Sequence, residues 1–485
     1  MRSYIESLEE LSKDQLMVLL ARRRRADTEG LAVVGMGCRL PGGIEDPTGL
    51  WDAVKAGTAA DTADVGVPTD SRGRPRWNLD APDIKPYADA LRTGAYLSDV
   101  DLFDAESFGI PDDEAAFIDP QQRMLLTTAR HALDDAGITD RRGTKAGVFV
   151  SITAPEYGLA AIRGGVNGIE DISAPMSTGT VVSAAAGWVT TALGLSGPAL
   201  TLDTACSSTL TAVHLAGQAL RAGECDVAVV GASHLLLSPV TTGVFAGAGL
   251  LSPAGACRPF TARADGYVRG EGAVVLVLKR EHDAKKDGDK PYAVIRSSAV
   301  HQHGGRSALS SPSAAGQRQA VRDCLRAAEV DPAEVKYVEA HGSADKVTDT
   351  VEADALATAY ERQSSDAPPL YLGSGKVNVG YLETAAGAAG LIRAVLAVGH
   401  GTVPPQPDFT DPAQDIPWQR TSLTVPTEAT PWPDTGRVLA GVNAFGFTGT
   451  NAHVLIEAPA EPRPPAPERI QHTGKPHWLD AYTWD

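Results

Sequence analysis

Around residue 200 the pattern of apolar and polar positions changes period within ten residues. Ala199-Leu200-Thr201-Leu202 reads as a short buried strand, and beyond it Leu210, Val213, Leu215, Ala216 and Leu220 recur at helical spacing up to Gly223, a glycine stop. The break falls inside Leu202-Asp203-Thr204-Ala205-Cys206-Ser207-Ser208-Thr209-Leu210, so a helix is expected to start at Cys206. Residues 1–28 read as two short helices. The second opens at Ser12-Lys13-Asp14-Gln15, a capping box, with Leu11 and Leu16 as a hydrophobic staple and Leu16, Leu19 and Leu20 on one face. It ends in Arg22-Arg23-Arg24-Arg25. At the other end, Pro459-Ala460-Glu461-Pro462-Arg463-Pro464-Pro465-Ala466-Pro467 reads as an extended, surface-wrapped segment. No run approaches the ~20 apolar residues that cross a bilayer.

A thiol at a helix N-terminus feels the positive end of the macrodipole and unpaired backbone N–H groups, which favour a thiolate and can hold an oxyanion. Taken alone, a cysteine is more often a small buried hydrophobe; the flanking hydroxyls and glycines make Cys206 a candidate nucleophile. The five cysteines (Cys38, Cys206, Cys225, Cys257, Cys324) are odd in number and scattered, with no disulfide framework and no metal-ligand spacing, so no metal is expected. His301-Gln302-His303 has no third ligand nearby and reads as a surface loop, and Gly35-x-Gly37 lacks the rest of a dinucleotide turn.

With 43% hydrophobic and 21% charged residues, the chain can bury a large core. A net charge of −17 argues against nucleic acid as the main partner. The four arginines leave two readings open: a docking or dimerising helix, or a helix packed on its own protomer with a solvated basic end. A polar N-terminus without a secretory signal points to the cytoplasm, with no membrane partner.

The chain from about Glu29 to about Pro459 resembles the ketosynthase domain of modular type I polyketide synthases. Six motifs in the family's order carry the resemblance besides the Cys206 run: Ala32-Val33-Val34-Gly35-Met36-Gly37-Cys38-Arg39-Leu40-Pro41-Gly42-Gly43, Asp119-Pro120-Gln121-Gln122-Arg123-Met124, Ala264-Asp265-Gly266-Tyr267-Val268-Arg269-Gly270-Glu271-Gly272, Glu339-Ala340-His341-Gly342, Lys376-Val377-Asn378-Val379-Gly380, and Asn443-Ala444-Phe445-Gly446-Phe447-Thr448-Gly449-Thr450-Asn451. It implies an α/β, thiolase-like fold of two related halves in a layered α-β-α-β-α core. The expected division is an N-terminal helical element at 1–28, a nucleophile-bearing half at 29–260, a second half at 261–458 and a proline-rich extension at 459–485.

The family's catalytic set is Cys-His-His, with the cysteine loaded by the acyl chain and the histidines assisting malonyl decarboxylation. Here Cys206 matches the nucleophile and His341 the first histidine, but the second position reads Asn378-Val379-Gly380-Tyr381. Lys376 and Asn378 are retained, so Tyr381 replaces a histidine in register. A phenol titrates near ~10 and mostly donates, which impairs decarboxylation but suits donation to an alkoxide or carbonyl. The family's His-Gly-Thr-Gly-Thr loop becomes His341-Gly342-Ser343-Ala344-Asp345, bringing a carboxylate to the channel of the pantetheine arm. If Asp345 faces the pocket it repels a malonyl carboxylate or serves as an extra base; if it faces solvent it means little. In Phe445-Gly446-Phe447-Thr448, Thr448 stands where the family has glycine and should stiffen the gating loop. By resemblance the Cys206 and Phe447 N–H groups form the oxyanion hole, and Ser343, Asp345, Asn378, Phe445 and Thr448 line the channel.

These features imply a homodimeric, trans-acting enzyme with no cofactor of its own, because no acyltransferase elbow or phosphopantetheine-bearing serine module follows. The arm arrives on an acyl carrier protein or peptidyl carrier domain. The expected reaction loads Cys206 and then closes a ring without decarboxylation, by aldol-type attack and lactone release, with His341 taking the proton and Tyr381 donating one. Transacylation, ordinary decarboxylative elongation and a non-catalytic partner like the chain-length factors are the alternatives; Cys206 counts against the last.

Overall fold

Ten strands of the central sheet repeat one pattern twice. The computed structural model describes residues 11–60, 62–152, 155–159, 178–304, 308–361, 368–433, 436–461, 463 and 473–478. The first half contributes β1 (Leu31–Arg39), β2 (Ala146–Ile152), β3 (Ala199–Thr201), β4 (Val227–His234) and β5 (Gly272–Arg280). The second contributes β6 (Ala293–Gln302), β7 (Val335–Glu339), β8 (Leu370–Gly373), β9 (Leu423–Thr424), β10 (Leu439–Phe445) and β11 (Thr450–Glu457). Across the sheet the order is β9-β8-β7-β10-β11-β6-β1-β5-β4-β2-β3. Counted outward from the middle, β1-β5-β4-β2-β3 matches β6-β11-β10-β7-β8, with β9 as an added edge. The halves join where β1 and β6 run antiparallel, Leu31 opposite Ile295 and Val33 opposite Ala293.

β5 is hydrogen-bonded between β4 and β1. The first half therefore extends to Arg280, and the expected division at 260/261 is corrected to the segment between Arg280 and Ala293.

Both faces of the sheet are covered, so the strands read as continuous apolar runs. On β1, Leu31 and Val33 enter an inner core while Ala32 and Val34 face an outer one; Val230 and Val229 of β4 divide the same way. Helices α1 (Lys13–Asp27), α2 (Pro120–Asp135), α3 (Ala184–Leu193), α4 (Ser208–Ala222), α5 (Ala314–Ala328), α6 (Lys346–Ala359) and α7 (Ala386–Gly399) complete the layers. α2 and α3 cover the first half's outer face, α5 and α6 the second's, and α4 and α7 share the inner core. The two inner helices approach closely: a Cβ on Gly387 would lie 2.8 Å from Thr209 Oγ1. The result is the layered α/β architecture expected from the sequence.

Two local expectations change. Ala199–Thr201 is a strand, but an exposed one, with Leu200 46% accessible, because β3 ends the sheet and has a neighbour on one side only. The capping box is present, Gln15 N–H donating to Ser12 Oγ (3.2 Å) and Ser12 N–H to Gln15 Oε1 (2.8 Å), yet α1 buries little: Met17, Val18, Leu19 and Leu20 are all exposed. The first N-terminal helix and most of the 459–485 extension lie outside the described residues. Arg463 hydrogen-bonds Val34 O (3.0 Å) and Asp135, and Lys475–Pro476 pairs with Leu102–Phe103, so these parts lie on the body.

One buried ion pair ties α7 to β7. Arg393 donates to Glu339 Oε2 and to Tyr337 Oη, and Glu339 Oε1 accepts from Gly375 N–H at 2.6 Å. Arg393→Met leaves the Glu339 carboxylate buried without its cation and should cost about 3–5 kcal/mol, read as a fall in the urea midpoint; an unchanged midpoint would show that the pair does not hold this region together.

Candidate active site

The four candidate groups converge at the carboxyl ends of β3, β7, β8 and β10, where the loops of the two halves meet. Cys206 lies two residues before α4, in a turn built by its own hydroxyls. Ala205 N–H donates to Asp203 Oδ1 (2.7 Å), Thr204 N–H to Ser208 Oγ (2.9 Å), and Ser207 Oγ to Thr204 O (2.8 Å). Ala205 has φ +56°, a left-handed conformation unusual for a residue with a Cβ. The thiol differs from the expected thiolate: burial pushes its pKa up to about 11, against a lowering by a hydrogen bond from the Tyr381 hydroxyl. Desolvation outweighs the helix end.

His341 follows β7 and is held on every side. Its N–H donates to Glu352 Oε1 (2.8 Å), the Gly342 N–H to Glu352 Oε2 (2.7 Å), and its carbonyl accepts from Lys376 Nζ. The Phe445 N–H donates to Nδ1 at 3.3 Å, which assigns the imidazole proton to Nε2. Burial first, and the Lys376 charge second, hold its pKa well below the usual histidine value, so the ring is neutral. His341 is therefore a hydrogen-bond donor at Nε2, which corrects its expected role as a base there.

Tyr381 is buried, 3.4 Å through its hydroxyl from His341 Nε2, and the same hydroxyl reaches Cys206. With Nε2 as donor, the arrangement runs His341 N–H to Tyr381 oxygen and Tyr381 O–H to Cys206 sulfur. Burial and the neighbouring sulfur raise the phenol well above its ordinary value, so it keeps its proton. Its backbone is fixed by Tyr381 N–H to Val268 O and Gly270 N–H to Tyr381 O, both 2.8 Å. Tyr267 meets its ring edge-to-face at 4.8 Å, and Lys376 Nζ lies 4.8 Å from its ring centroid. Lys376 is a buried amine whose pKa burial lowers, against raising by Glu339 and Glu352.

The residues assigned to the channel divide. The Ser343 hydroxyl is buried without a partner, a free hydrogen-bonding group beside His341. Asp345 is exposed and caps α6, accepting from Thr348 N–H (2.8 Å) and Oγ1 (2.9 Å); its carboxylate serves the helix, which corrects its expected place in the pocket. Asn378 spends its amide on Thr58 O (2.7 Å) and anchors that loop, leaving its buried Oδ1 unpartnered. Phe445 packs its ring 5.5 Å from that of His341. Gly446 explains how the closing loop meets the nucleophile: a Cβ there would lie 2.3 Å from Thr204 O. That contact brings the Phe447 backbone to the Cys206 turn while the Phe447 side chain stays exposed. Thr448 lies outside the positive-φ region, which Gly449 takes at +101°, and its carbonyl accepts from Gln302 Nε2 at 3.1 Å. The threonine thus enters without strain, and Gln302 holds the loop.

Glu352 and Tyr267 were not singled out from the sequence. Glu352 carried a signal, a carboxylate in line with Leu356 and Ala359 at i+4 and i+7 on an apolar helix face; Tyr267 carried none beyond its motif. Two small pockets adjoin Lys376 and Gly380, the first lined also by His341 and Asn443, the second by Cys257 and Thr62.

Comparison with known proteins agrees with this geometry. Residues 28–284 match the N-terminal domain of beta-ketoacyl synthases, 292–410 their C-terminal domain, and 412–479 the ketoacyl-synthetase C-terminal extension. Over 459 residues the chain is 42% identical to a phenolphthiocerol/phthiocerol polyketide synthase of Mycobacterium tuberculosis, covering 93% of this chain and 20% of that protein. It is 41% identical over 440 residues to polyketide synthase GfsB of Streptomyces halstedii, covering 89% and 8%. The chain thus spans a fifth or less of these two relatives. Among solved structures, the ketosynthase from module 6 of the bacillaene synthase of Bacillus subtilis 168 superposes with a TM-score of 0.79 at 35% identity, covering 89% of this chain and 72% of that one. The oxazolomycin ketosynthase domain of Streptomyces albus gives 0.78 at 32%, covering 90% and 75%. A cysteine turn, a histidine loop and a gating loop meeting between two repeated α/β halves, with this similarity along nearly the whole chain, place the protein in the beta-ketoacyl synthase family, among the ketosynthases of modular polyketide synthases.

Proposed function

We propose that this ketosynthase loads a carrier-bound acyl chain on Cys206 and closes a ring within that chain without decarboxylation, releasing it as a lactone. The observation that carries the reading is the Tyr381 hydroxyl set between Cys206 and His341, where the resemblance puts the family's second histidine. Loading is proton-neutral: the Cys206 proton leaves with the pantetheine thiol. Aldol closure is neutral too, since one proton leaves carbon and one reaches the new alkoxide. Both transfers occur as the C–C bond forms: the carbon proton passes to the Tyr381 oxygen while the Tyr381 proton passes to the developing alkoxide, with His341 Nε2–H supporting the phenol oxygen, so that Tyr381 ends as it began. Attack of the hydroxyl on the thioester then frees Cys206. A hydroxyl donor backed by a second donor on its own oxygen suits a developing alkoxide. Transacylation from Cys206 to another acceptor needs the same loading step and is separated from closure by its product.

The Cys206 and Phe447 N–H groups serve as the oxyanion hole, and the free Ser343 hydroxyl as a contact for the pantetheine arm. The partner is an acyl or peptidyl carrier protein, and the active form a homodimer. The open edge of β3, with Leu200 exposed beside a sheet that otherwise continues, supports pairing with a second copy. Exposed α1 supports a docking role for the N-terminal element. Among the described residues no helix is long and apolar enough to cross a membrane.

Intact-protein mass spectrometry with acyl-carrier and malonyl-carrier thioesters tests the reaction. Wild type should gain the acyl mass, Cys206→Ala should not, and no carbon dioxide should be released from malonyl. Tyr381→Phe should slow loading about tenfold, through the lost hydrogen bond to the sulfur, and closure far more, by about 10³-fold. Malonyl-dependent extension of the loaded chain by wild type would overturn the reading in favour of ordinary elongation.

The thiol offers a second test. Because burial raises Cys206 to about 11, its alkylation by iodoacetamide should climb through pH 9–11 instead of levelling off near pH 9. Tyr381→Phe removes a hydrogen bond that favours the thiolate, so the profile should move to still higher pH. A profile unmoved by that change would show that the hydroxyl does not contact the sulfur.

A further inference from the structure

A buried polar chain runs from the outer core of the second half to the catalytic histidine. It begins at Tyr360, just beyond α6, whose hydroxyl is 2.9 Å from His453 Nε2. His453 on β11 and Asn443 on β10 are directly opposed in the sheet, Nδ1 to Oδ1 at 2.6 Å. Asn443 Nδ2 donates to Glu352 Oε1 at 2.8 Å, returning the chain to α6, and Glu352 holds the His341 and Gly342 N–H groups. Tyr360, His453, Asn443 and Glu352 are all nearly or fully buried.

The direction of every link is determined. Asn443 donates through its amide nitrogen, so its oxygen must accept, which places the His453 proton on Nδ1 and leaves Nε2 to accept from Tyr360 O–H. Burial keeps His453 neutral, its pKa lowered to about 3. Gly441 makes room for the chain: a Cβ there would lie 2.7 Å from both Tyr360 Oη and His453 Cε1. β10 also supplies the Phe445 N–H that reaches His341 Nδ1, two residues beyond Asn443. One strand thus grips the histidine loop twice, through Glu352 and through the ring.

We propose that Asn443, His453 and Tyr360 are positioning residues that, through Glu352, hold His341 with Nε2–H aimed at Tyr381 and so set the reactivity of Cys206. The inference rests on the proposed loading of Cys206, and it extends that reading to residues that touch no substrate. A network of this kind acts on rate and protonation rather than on substrate affinity.

Hexanoyl-N-acetylcysteamine, a small acyl-thioester mimic of the pantetheine arm, and iodoacetamide serve as probes on the full chain. Asn443→Asp puts a carboxylate against Glu352. The maximal rate of Cys206 acylation should fall about tenfold with the half-saturating concentration within about twofold, and the alkylation profile of Cys206 should move up by about half a pH unit. Tyr360→Phe, which removes only the outermost donor, should slow acylation about threefold. Rates within about twofold of wild type for both folded variants, or a change confined to half-saturation, would overturn the proposal. If Asn443→Asp does not fold, Tyr360→Phe decides alone. If wild type is not acylated at all, the loading reading fails, and the alkylation profile still decides whether this chain sets the state of Cys206.

Discussion

The site depends on one hydrogen bond from the main chain, Phe445 N–H to His341 Nδ1. A neutral imidazole has one proton to place, and this contact assigns it to Nε2, the nitrogen facing Tyr381. With that choice made, Tyr381 receives a hydrogen bond from the ring and turns its own proton to Cys206. The bond exists because β10 runs parallel beside β7, which delivers His341, and the two strands leave the sheet side by side. The catalytic order of donors therefore follows from strand pairing in the second half, and the nucleophile is brought to it from the first half by α4. Gly446 closes the join, since only a residue without a Cβ lets the gating loop lie against Thr204.

Burial opposes the charged states of the same groups. The thiol is raised, the imidazole and the Lys376 amine are lowered, and the phenol is raised, in each case first by removal from water. A site so arranged holds its protons at rest. It favours steps in which protons are exchanged among neighbours and disfavours those that need a standing ion pair. Cys206 as a thiol hydrogen-bonded by a phenol is consistent with loading from a thioester whose leaving sulfur carries the proton away.

Much of this was legible in the residues. Cys206, His341, Lys376 and Tyr381 lie in short motifs whose order along the chain is kept, and the structure brings all four together. The helix after Cys206 and its Gly223 stop followed from periodicity, Gly223 taking the left-handed conformation at φ +73° that a glycine stop requires. What failed were expectations about side-chain direction. Asp345 looked like a channel carboxylate because its neighbours in sequence line the site, but a residue at the first position before a helix is drawn to the free N–H groups there. The thiolate expected at Cys206 came from the helix end alone, and the depth of burial that reverses it depends on loops from three other places in the chain. The boundary between the halves was set too early because β5 returns to pair with β1, a long-range antiparallel contact that leaves no local mark.

On the proposed reading, Tyr381 in place of the family's second histidine changes what the site can do more than what it looks like. A neutral histidine there would offer a basic ring nitrogen as well as an N–H. The phenol, buried and raised, does not; it can only lend a proton and take one back. The surrounding frame that a histidine would use is still present, from Lys376 on the His341 carbonyl to Glu352 on its peptide N–H groups, so the change is confined to the proton chemistry at one atom. Under the proposed function the thiol and its oxyanion contacts serve acyl loading, and the absence of a second basic imidazole falls on the step after it. A chain loaded here and not extended must react with itself, with another acceptor or with water. A donor placed within reach of both the sulfur and the imidazole favours the first, because an oxygen generated inside the loaded chain is the one acceptor that arrives already in place.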